Sequence, residues 1–150
     1  MEIERKYLVR ALPAHLDSYP YHTIEQAYLC TEPVIRIRRQ DDSYYLTYKS
    51  KGMLSREEYN LPLTKEAFDH LLPKADGTII TKRRYVIPLE NGLSAELDLF
   101  DGSFQGMVLV EVEFPDEAAS RAFTPPSWFA EEVTYRKEYH NSYLSSLKRS

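Results

Sequence analysis

Polar and apolar residues alternate along much of this chain, with the period of two that is typical of a half-buried β-strand. Seven internal segments show this pattern or are rich in Val, Ile, Tyr and Thr, and turn residues such as Glu90-Asn91-Gly92 separate them. The predicted strands cover residues 22–29, 34–39, 44–50, 56–63, 78–89, 93–100 and 107–114. With the opening segment MEIERKYLV they make about eight strands, and the short connections favour an antiparallel sheet.

Few helices are predicted, and each begins at a residue that can cap it. The caps and the segments that follow them are Thr64 with residues up to Leu72, Asp116 with 117–123, and Asn141 with 142–148. A short helix is also predicted near residues 13–18. Because no repeat or change of composition marks a boundary, residues 1–150 are expected to form a single α+β domain, mainly antiparallel β.

The polar faces of several predicted strands carry charges instead of the usual Ser, Thr or Gln. Since 28% of the residues are charged, an alternate pair is doubly charged by chance in roughly 8% of cases, yet five strands carry such a pair. The charges also segregate by strand, with acids at positions 96, 98, 111 and 113 and bases at positions 36, 38, 82 and 84.

A charged strand face is often the solvated side of a sheet whose other side packs on a core. The segregation favours the opposite orientation, because about eight antiparallel strands tend to close into a barrel with an interior. We therefore expect a closed eight-stranded barrel with a charged interior and a few outer helices. The expected interior residues are Glu2, Glu4, Lys6, Arg36, Arg38, Lys49, Arg56, Glu58, Lys82, Arg84, Glu96, Asp98, Glu111 and Glu113.

Charges inside a barrel must be paired or bound to ions, which indicates the kind of ligand. Carboxylates suit Mg²⁺ or Mn²⁺, while arginine and lysine suit phosphate oxygens. A polyphosphate–metal complex meets both demands, and side chains must hold it because no GxxxxGK[ST] loop is present. The four histidines lie far apart in the sequence, so surface or packing roles are expected for them.

Composition limits the remaining classes of function. A net charge of −4 and a pI near 5.6 argue against a nucleic-acid partner. No apolar run approaches the roughly 18 residues of a membrane span and no signal peptide precedes the acidic start, so a cytoplasmic protein without a membrane partner is expected. The expected partner is a small-molecule substrate, and the expected assembly is a monomer or a homodimer.

Taken in order, the charged motifs resemble those of the CYTH superfamily, the triphosphate tunnel metalloenzymes. The resemblance begins at the ExExK motif of Glu2, Glu4 and Lys6, continues through RIR, TYK, REEY, KxRY, ELD and VEVEF, and reaches about residue 143. ExExK alone would be a weak signal, whereas the ordered set is specific. The resemblance implies an eight-stranded tunnel that binds a triphosphate lengthwise and works with divalent metal.

The resemblance also implies roles for individual residues. Substrate phosphates would be bound by Lys6, Arg36, Arg38, Lys49, Arg56, Lys82 and Arg84. Two metal ions, Mg²⁺ or Mn²⁺, would be bound by Glu2, Glu4, Asp98, Glu111 and Glu113. The candidate catalytic residues are Lys82, Tyr28 and Glu113.

Some assignments depart from the family pattern or stay open. Asn60 stands where an acid often follows the REEY glutamate, and Arg83 competes with its neighbours to be the inward base of KRRY, for which Lys82 and Arg84 are favoured. Glu58 and Glu96 either bind metal or only pair with tunnel bases. The segment 135–137, Tyr-Arg-Lys, is a candidate closing element over one mouth.

The expected reaction is metal-dependent hydrolysis of a triphosphate by in-line attack of water. Inorganic tripolyphosphate, cleaved to pyrophosphate and phosphate, is the preferred substrate because no nucleobase or thiamine pocket is recognisable, and nucleoside triphosphates are further candidates. The alternatives are a class IV-type adenylate cyclase, a thiamine triphosphatase, or a polyphosphate-binding module without activity. Glu111→Gln is expected to lower kcat and to leave the metal-free protein at least as stable.

Overall fold

A computed structural model describes residues 2–52 and 54–147 of the chain. The strands are β1 (Glu2–Val9), β2 (Tyr21–Thr31), β3 (Val34–Gln40), β4 (Ser43–Lys49), β5 (Ser55–Arg56), β6 (Glu58–Pro62), β7 (Asp76–Pro88), β8 (Ser94–Asp101), β9 (Val108–Glu113) and β10 (Phe129–Glu132). The α-helices are α1 (Lys65–Leu71), α2 (Glu117–Ala122) and α3 (Asn141–Ser146). Short 3-10 turns cover Leu16–Ser18, Leu72–Lys74, Glu90–Gly92, Gly102–Phe104 and Lys137–Tyr139. None of the helices described is long and apolar enough to cross a membrane.

All the strand pairings are antiparallel, and their order is β10-β1-β9-β8-β7-β2-β3-β4-β6. β5 and β6 are separated only by Glu57, so they act as two halves of one strand that pairs with β1 and with β4. The sheet thus forms a nearly closed barrel of eight strands. Its one incomplete seam lies between β6 and β1, where only the two residues of β5 pair. This confirms the predicted eight-stranded antiparallel barrel, apart from the seam.

The edge of β1 that faces the seam has two partners. Glu2 and Ile3 pair with β5, while Tyr7 and Val9 pair with β10. No strand was predicted at residues 129–132, so β10 is an addition to the expected barrel. It supplies backbone partners to the part of β1 that β5 does not reach.

Two of the three predicted helix caps are confirmed. Thr64 Oγ1 accepts a hydrogen bond from the Ala67 amide at 3.0 Å, and Asp116 Oδ1 accepts one from the Ala119 amide at 2.7 Å. The predicted Asn141 cap is wrong, because Asn141 is the first residue of α3. Its side chain instead accepts from Lys82 in the barrel.

Other helix predictions are only partly met. The helix expected near residues 13–18 is reduced to the 3-10 turn Leu16–Ser18. Lys148, the predicted end of the last helix, lies outside the described residues, as do residues 1, 53, 149 and 150 of the expected domain.

The outward faces of the strands form apolar cores under two helices. Val110 and Val112 of β9 belong to a cluster against which Ala119 of α2 packs, and Ile37 of β3 packs with Phe68 of α1. Since apolar residues cover the outside, the alternate residues point inward. The expectation that helices cover the outside is thus confirmed.

One end of the barrel interior is apolar and is covered by α3. Leu109, Phe100 and Ile80 occupy the inward positions next to Glu111, Asp98 and Lys82, and they pack with Leu144 of α3. Gly77, with φ 70°, permits this docking because a Cβ there would overlap with the carbonyl oxygen of Ser145. The helix thereby brings residues 140–142 to the inner end of the charged interior.

Candidate active site

The charged side chains of the barrel interior surround a cavity of about 220 Å³. Of the fourteen residues expected inside, twelve line it: Glu2, Glu4, Lys6, Arg36, Arg38, Lys49, Arg56, Glu58, Arg84, Glu96, Glu111 and Glu113. Lys82 and Asp98 are also inside the barrel, but they lie buried behind the cavity lining, with 1% and 2% of their surfaces exposed. The expectation of a charged interior is therefore confirmed.

Strand order and register place acids and bases on different sides of the cavity. On the adjacent strands β1, β9 and β8, Glu4 lies opposite Glu113 and Glu111 lies opposite Glu96. We call these four glutamates the acidic wall. The basic wall comes from β3, β4 and β7 and consists of Arg36, Arg38, Lys49, Lys82 and Arg84.

Part of the basic wall is neutralised by one buried carboxylate. Asp98 accepts from Arg84 Nε at 2.8 Å and Nη2 at 2.9 Å, and lies 2.7 Å from Lys82 Nζ. Burial lowers the pKa of Lys82 to about 7, and the charges of Arg84 and Arg38 act in the same direction, against the effect of Asp98. Lys82 is therefore close to the point of losing its proton at neutral pH.

Arg36 and Arg38 differ from the other tunnel bases in having no acid close by. Within the described residues, no carboxylate lies within 4.0 Å of either guanidinium. Arg36 Nη2 donates to Thr47 Oγ1 at 3.3 Å, and Arg38 Nε donates to Gln26 Oε1 at 2.8 Å. Burial and the charges of Arg36 and Arg84 lower the pKa of Arg38 to about 10, so this pair is an uncompensated positive site.

The glutamates of β1 differ in their electrostatic environment. Glu2 lies 3.0 Å from Lys49 Nζ and 3.3 Å from Arg56 Nε, whereas Glu4 has its nearest ion pair, with Arg56, at 3.9 Å. Burial and the nearby Glu111 raise the pKa of Glu4 to about 8. Glu4 therefore retains its proton at neutral pH in the metal-free tunnel.

Two more glutamates of the acidic wall, Glu111 and Glu113, lie on β9. The contact of Lys6 Nζ with Glu111, at 3.2 Å, and the nearby Arg84 hold the pKa of Glu111 well below its usual range, although burial alone would raise it. Glu113 is exposed at a mouth of the tunnel, and partial burial together with Glu2 raises its pKa. Glu4 and Glu113 thus face each other with little positive charge to compensate them.

The donor set of the acidic wall suits a divalent metal. In residues 2–52 and 54–147, no three acidic, His or Cys side chains converge closely enough to hold an ion as they stand. Glu4 has only a long ion pair, with Arg56 at 3.9 Å, and Glu113 has none among the described residues. Their hard carboxylate oxygens are nevertheless ligands that Mg²⁺ and Mn²⁺ bind. Asp98, also predicted as a ligand, is occupied by Arg84 and Lys82.

Several residues that line the cavity were not predicted. Gln40 and Tyr45 lie on strands, where Tyr45 donates a hydrogen bond to Gln40 at 3.0 Å. His140, Asn141 and Ser142 come from the start of α3. The expectation of surface or packing roles for all histidines is therefore wrong for His140, which lines the cavity and hydrogen-bonds through Nε2 to the Thr134 carbonyl at 2.7 Å.

The first residue of α3 and the turn that precedes it are connected to the tunnel bases. Lys6 Nζ donates to the Tyr139 carbonyl at 3.1 Å, and Lys82 Nζ donates to Asn141 Oδ1 at 3.2 Å. Burial lowers the pKa of His140, and the charge of Lys6 adds to this effect. The inner end of the cavity is consequently polar, although the packing beneath it is apolar.

The structure locates Arg83, Asn60 and Tyr28, whose orientations were not settled by the sequence. Arg83 points away from the interior and donates to Tyr85 Oη at 3.2 Å, while Lys82 and Arg84 point inward as favoured. Asn60 does not line the cavity and accepts a hydrogen bond from Thr47 at 2.5 Å. Tyr28 lines the cavity and also packs in the apolar cluster at its inner end.

The segment 135–137 is exposed and contributes nothing to the lining of the tunnel. Arg136 pairs instead with Glu131 and Glu138, at 3.3 Å and 3.0 Å. The residues that reach the tunnel from this part of the chain are the next ones, 140–142.

Comparisons with known proteins agree over nearly the whole chain. The CYTH domain family model matches residues 1–150. A protein of Nitrosomonas europaea named inorganic triphosphatase is 43% identical over 148 residues, which cover 96% of each chain. An inorganic triphosphatase of Acetivibrio thermocellus is 35% identical over 150 residues, covering 95% of this chain and 92% of that one. The crystal structure of an inorganic triphosphatase superposes with a TM-score of 0.74 at 37% identity, over 100% of this chain and 97% of that chain.

Proposed function

Because this chain belongs to the CYTH domain family, we propose that it is a metal-dependent triphosphatase that hydrolyses inorganic tripolyphosphate to pyrophosphate and phosphate. Two relatives that align over nearly its full length carry the name inorganic triphosphatase. The observation that carries the proposal is the cavity of about 220 Å³ in which a basic wall faces an acidic wall. The whole chain would act as one CYTH-like domain.

The basic residues would bind the phosphate oxygens. Arg36 and Arg38 would bind phosphate most strongly, because no carboxylate among the described residues competes for them. Lys6, Lys49 and Arg56 now contact glutamates and would exchange those contacts for phosphate. Arginine and lysine that neutralise the oxygens of a transferring phosphoryl group stabilise the transition state as well as the bound substrate.

The acidic residues would hold the metal that the family uses. Two ions of Mg²⁺ or Mn²⁺ are proposed to bind at Glu2, Glu4, Glu111 and Glu113. Asp98 would become a further ligand once its ion pair with Lys82 or Arg84 is broken. When bound, a divalent cation neutralises phosphate charge and favours attack by water. Glu4 would give up its proton on binding the metal, because a cation would offset the burial and the nearby Glu111 that raise its pKa.

The catalytic residues proposed are Lys82, Tyr28 and Glu113. Glu113 lies at a mouth of the tunnel, and its raised pKa makes it a better base toward an attacking water than an ordinary glutamate. Lys82, with a pKa of about 7, can exchange a proton near neutral pH. Tyr28 lies at the inner end of the cavity, where it would contact the far phosphate or the water.

The choice of tripolyphosphate follows from the cavity lining. The lining residues are mostly charged or polar, and Val34, Tyr28, Tyr45 and the ring of His140 are the few among them that offer apolar or aromatic surface to a nucleobase or a thiazole ring. Phosphate release should therefore be measured side by side from tripolyphosphate, ATP, GTP and thiamine triphosphate. The highest kcat/KM is expected with tripolyphosphate.

Each alternative has a distinct outcome in the same assay. A higher kcat/KM for ATP or for thiamine triphosphate would replace the proposed substrate. Formation of cyclic AMP would indicate a cyclase. Binding of tripolyphosphate without phosphate release at any metal concentration would indicate a binding module and would contradict the proposed activity.

A further inference from the structure

Gln26 is a fully buried polar residue directly behind the uncompensated arginines. It lies on β2, opposite Arg38 of β3 in the register of the sheet, and none of its surface is exposed. Its Oε1 accepts from Arg38 Nε at 2.8 Å. Gln26 does not line the cavity, so any effect on a substrate must act through Arg38.

The chain holds another tunnel arginine in a different way. Arg84 donates from Nε and Nη2 to Asp98, a carboxylate that neutralises its charge. Arg38 donates from the same Nε atom to the neutral amide of Gln26. An amide accepts this hydrogen bond and fixes the plane of the guanidinium, but it leaves the positive charge uncompensated.

The amide is not the choice that best stabilises the empty tunnel. A glutamate has nearly the same size and would pair with a buried arginine that also faces the charge of Arg36. The Nε2 atom of Gln26 is buried without a hydrogen-bond partner among the described residues, which is unfavourable for folding. A neutral acceptor at this position therefore sacrifices stability and keeps Arg38 available for an anion.

We propose that Gln26 is a positioning residue that orients Arg38 toward a substrate phosphate and, being neutral, preserves its charge for that contact. The inference rests on the proposed function, since it takes a polyphosphate as the anion. Nε is held by Gln26, while Nη1 lies 3.5 Å from the hydroxyl of Tyr45, which, like Arg38 itself, lines the cavity. These nitrogens are the ones that a phosphate would meet.

The test compares two substitutions of nearly equal size at this position. Gln26→Glu keeps the acceptor and adds a charge, so KM for tripolyphosphate should rise roughly tenfold or more while the metal-free melting temperature rises. Gln26→Met removes the acceptor without adding charge, so KM should also rise but the melting temperature should fall. The opposite shifts in melting temperature separate the charge effect from the positioning effect.

Gln105→Glu provides the matched control, because Gln105 is exposed between β8 and β9, away from the cavity lining. It should change neither KM nor the melting temperature appreciably. Calorimetric titration of each metal-free variant with tripolyphosphate in EDTA should show the same weakening as KM. This readout does not require turnover.

The outcomes separate the inference from the proposed function. If Gln26→Glu keeps the wild-type KM and affinity, or lowers the metal-free melting temperature, the inference is wrong even when the wild type is an active triphosphatase. If the wild type releases no phosphate, the proposed function fails, and the titration and melting measurements still test the role of Gln26. A merely structural glutamine would give lower melting temperatures in both variants with unchanged tripolyphosphate affinity.

Discussion

Replacing Glu4 with glutamine should stabilise the metal-free protein, and most strongly at alkaline pH. Burial and Glu111 raise the pKa of Glu4 from 4.5 to about 8. Between these values the folded state holds a proton that the unfolded state has released, so the stability contributed by this group falls as pH rises. Glutamine keeps the shape of the side chain, can still donate to Glu111, and never ionises.

The magnitude follows from the two pKa values of Glu4. One pH unit corresponds to about 1.4 kcal/mol, so ionisable Glu4 costs the folded state at most roughly 3 kcal/mol at pH 7 and about 5 kcal/mol above pH 9. Relaxation of the tunnel should reduce these limits by about half. Since about 1 kcal/mol shifts the melting temperature of a domain this size by roughly 3 °C, Glu4→Gln should melt about 5 °C higher at pH 7.

The assay is thermal unfolding in EDTA at pH 5, 7 and 9, followed by calorimetry or circular dichroism. The gain should be largest at pH 9 and small at pH 5. Glu25→Gln is the matched control, because Glu25 points away from the tunnel and its pair with Arg39, at 3.4 Å, is at the surface. A Glu4→Gln protein that melts at or below the wild-type temperature at pH 9 would refute the electrostatic account of this wall.

Four other outcomes are expected. Glu111→Gln should lower the melting temperature of the metal-free protein, because Glu111 pairs with Lys6 at 3.2 Å; this is contrary to the expectation from sequence. The same substitution should lower kcat by roughly 10²-fold. EDTA should abolish phosphate release, and unchanged release would contradict metal dependence. In wild type the depressed pKa of Lys82 makes stability rise with pH between about 7 and 10.5, and Lys82→Met should flatten this rise in denaturant titrations. Thr64→Ala should cost about 1 kcal/mol in the same titrations and leave KM unchanged, since its hydroxyl caps α1 far from the cavity lining.

The interior of the barrel could be predicted from sequence because side-chain direction in a strand follows from backbone geometry. Alternation along β1, β3 and β9 is sufficient to place Glu4, Arg38 and Glu111 on one face. Extending the same alternation by two positions from Arg38 and from Thr47 reaches Gln40 and Tyr45, which the prediction omitted although the signal was present.

Residues brought in by tertiary docking carried no such signal. His140 reaches the cavity because α3 packs on the barrel end, where Gly77 lets the two backbones approach. Nothing in the local pattern around His140 refers to Gly77, which permits the docking of α3, or to Lys6, whose charge acts on the His140 ring. β10 was missed for a related reason, because its four residues form a strand only where β1 offers a free edge.

The partners of each charge also depend on register, which a single strand cannot reveal. Glu4 and Glu111 are equivalent as inward glutamates, yet Glu111 lies opposite Lys6 while Glu4 lies opposite Glu113. This difference determines which carboxylate is stable when ionised in the metal-free tunnel. The expectation attached to Glu111 from sequence therefore belongs to Glu4.

On the proposed function, the ligands of the tunnel would explain the acidic opening of the chain. The interior holds seven acids and seven bases, and within the described residues each base except Arg36 and Arg38 has a carboxylate partner. A triphosphate alone, carrying roughly −4 to −5, would take the bases and leave the glutamates uncompensated, whereas two divalent cations alone would do the reverse. On the proposed function, only the two together would keep the interior near neutrality. Glu4 lies opposite Glu113 in the sheet and has only a distant base, so we expect it to be the residue that most needs a bound cation.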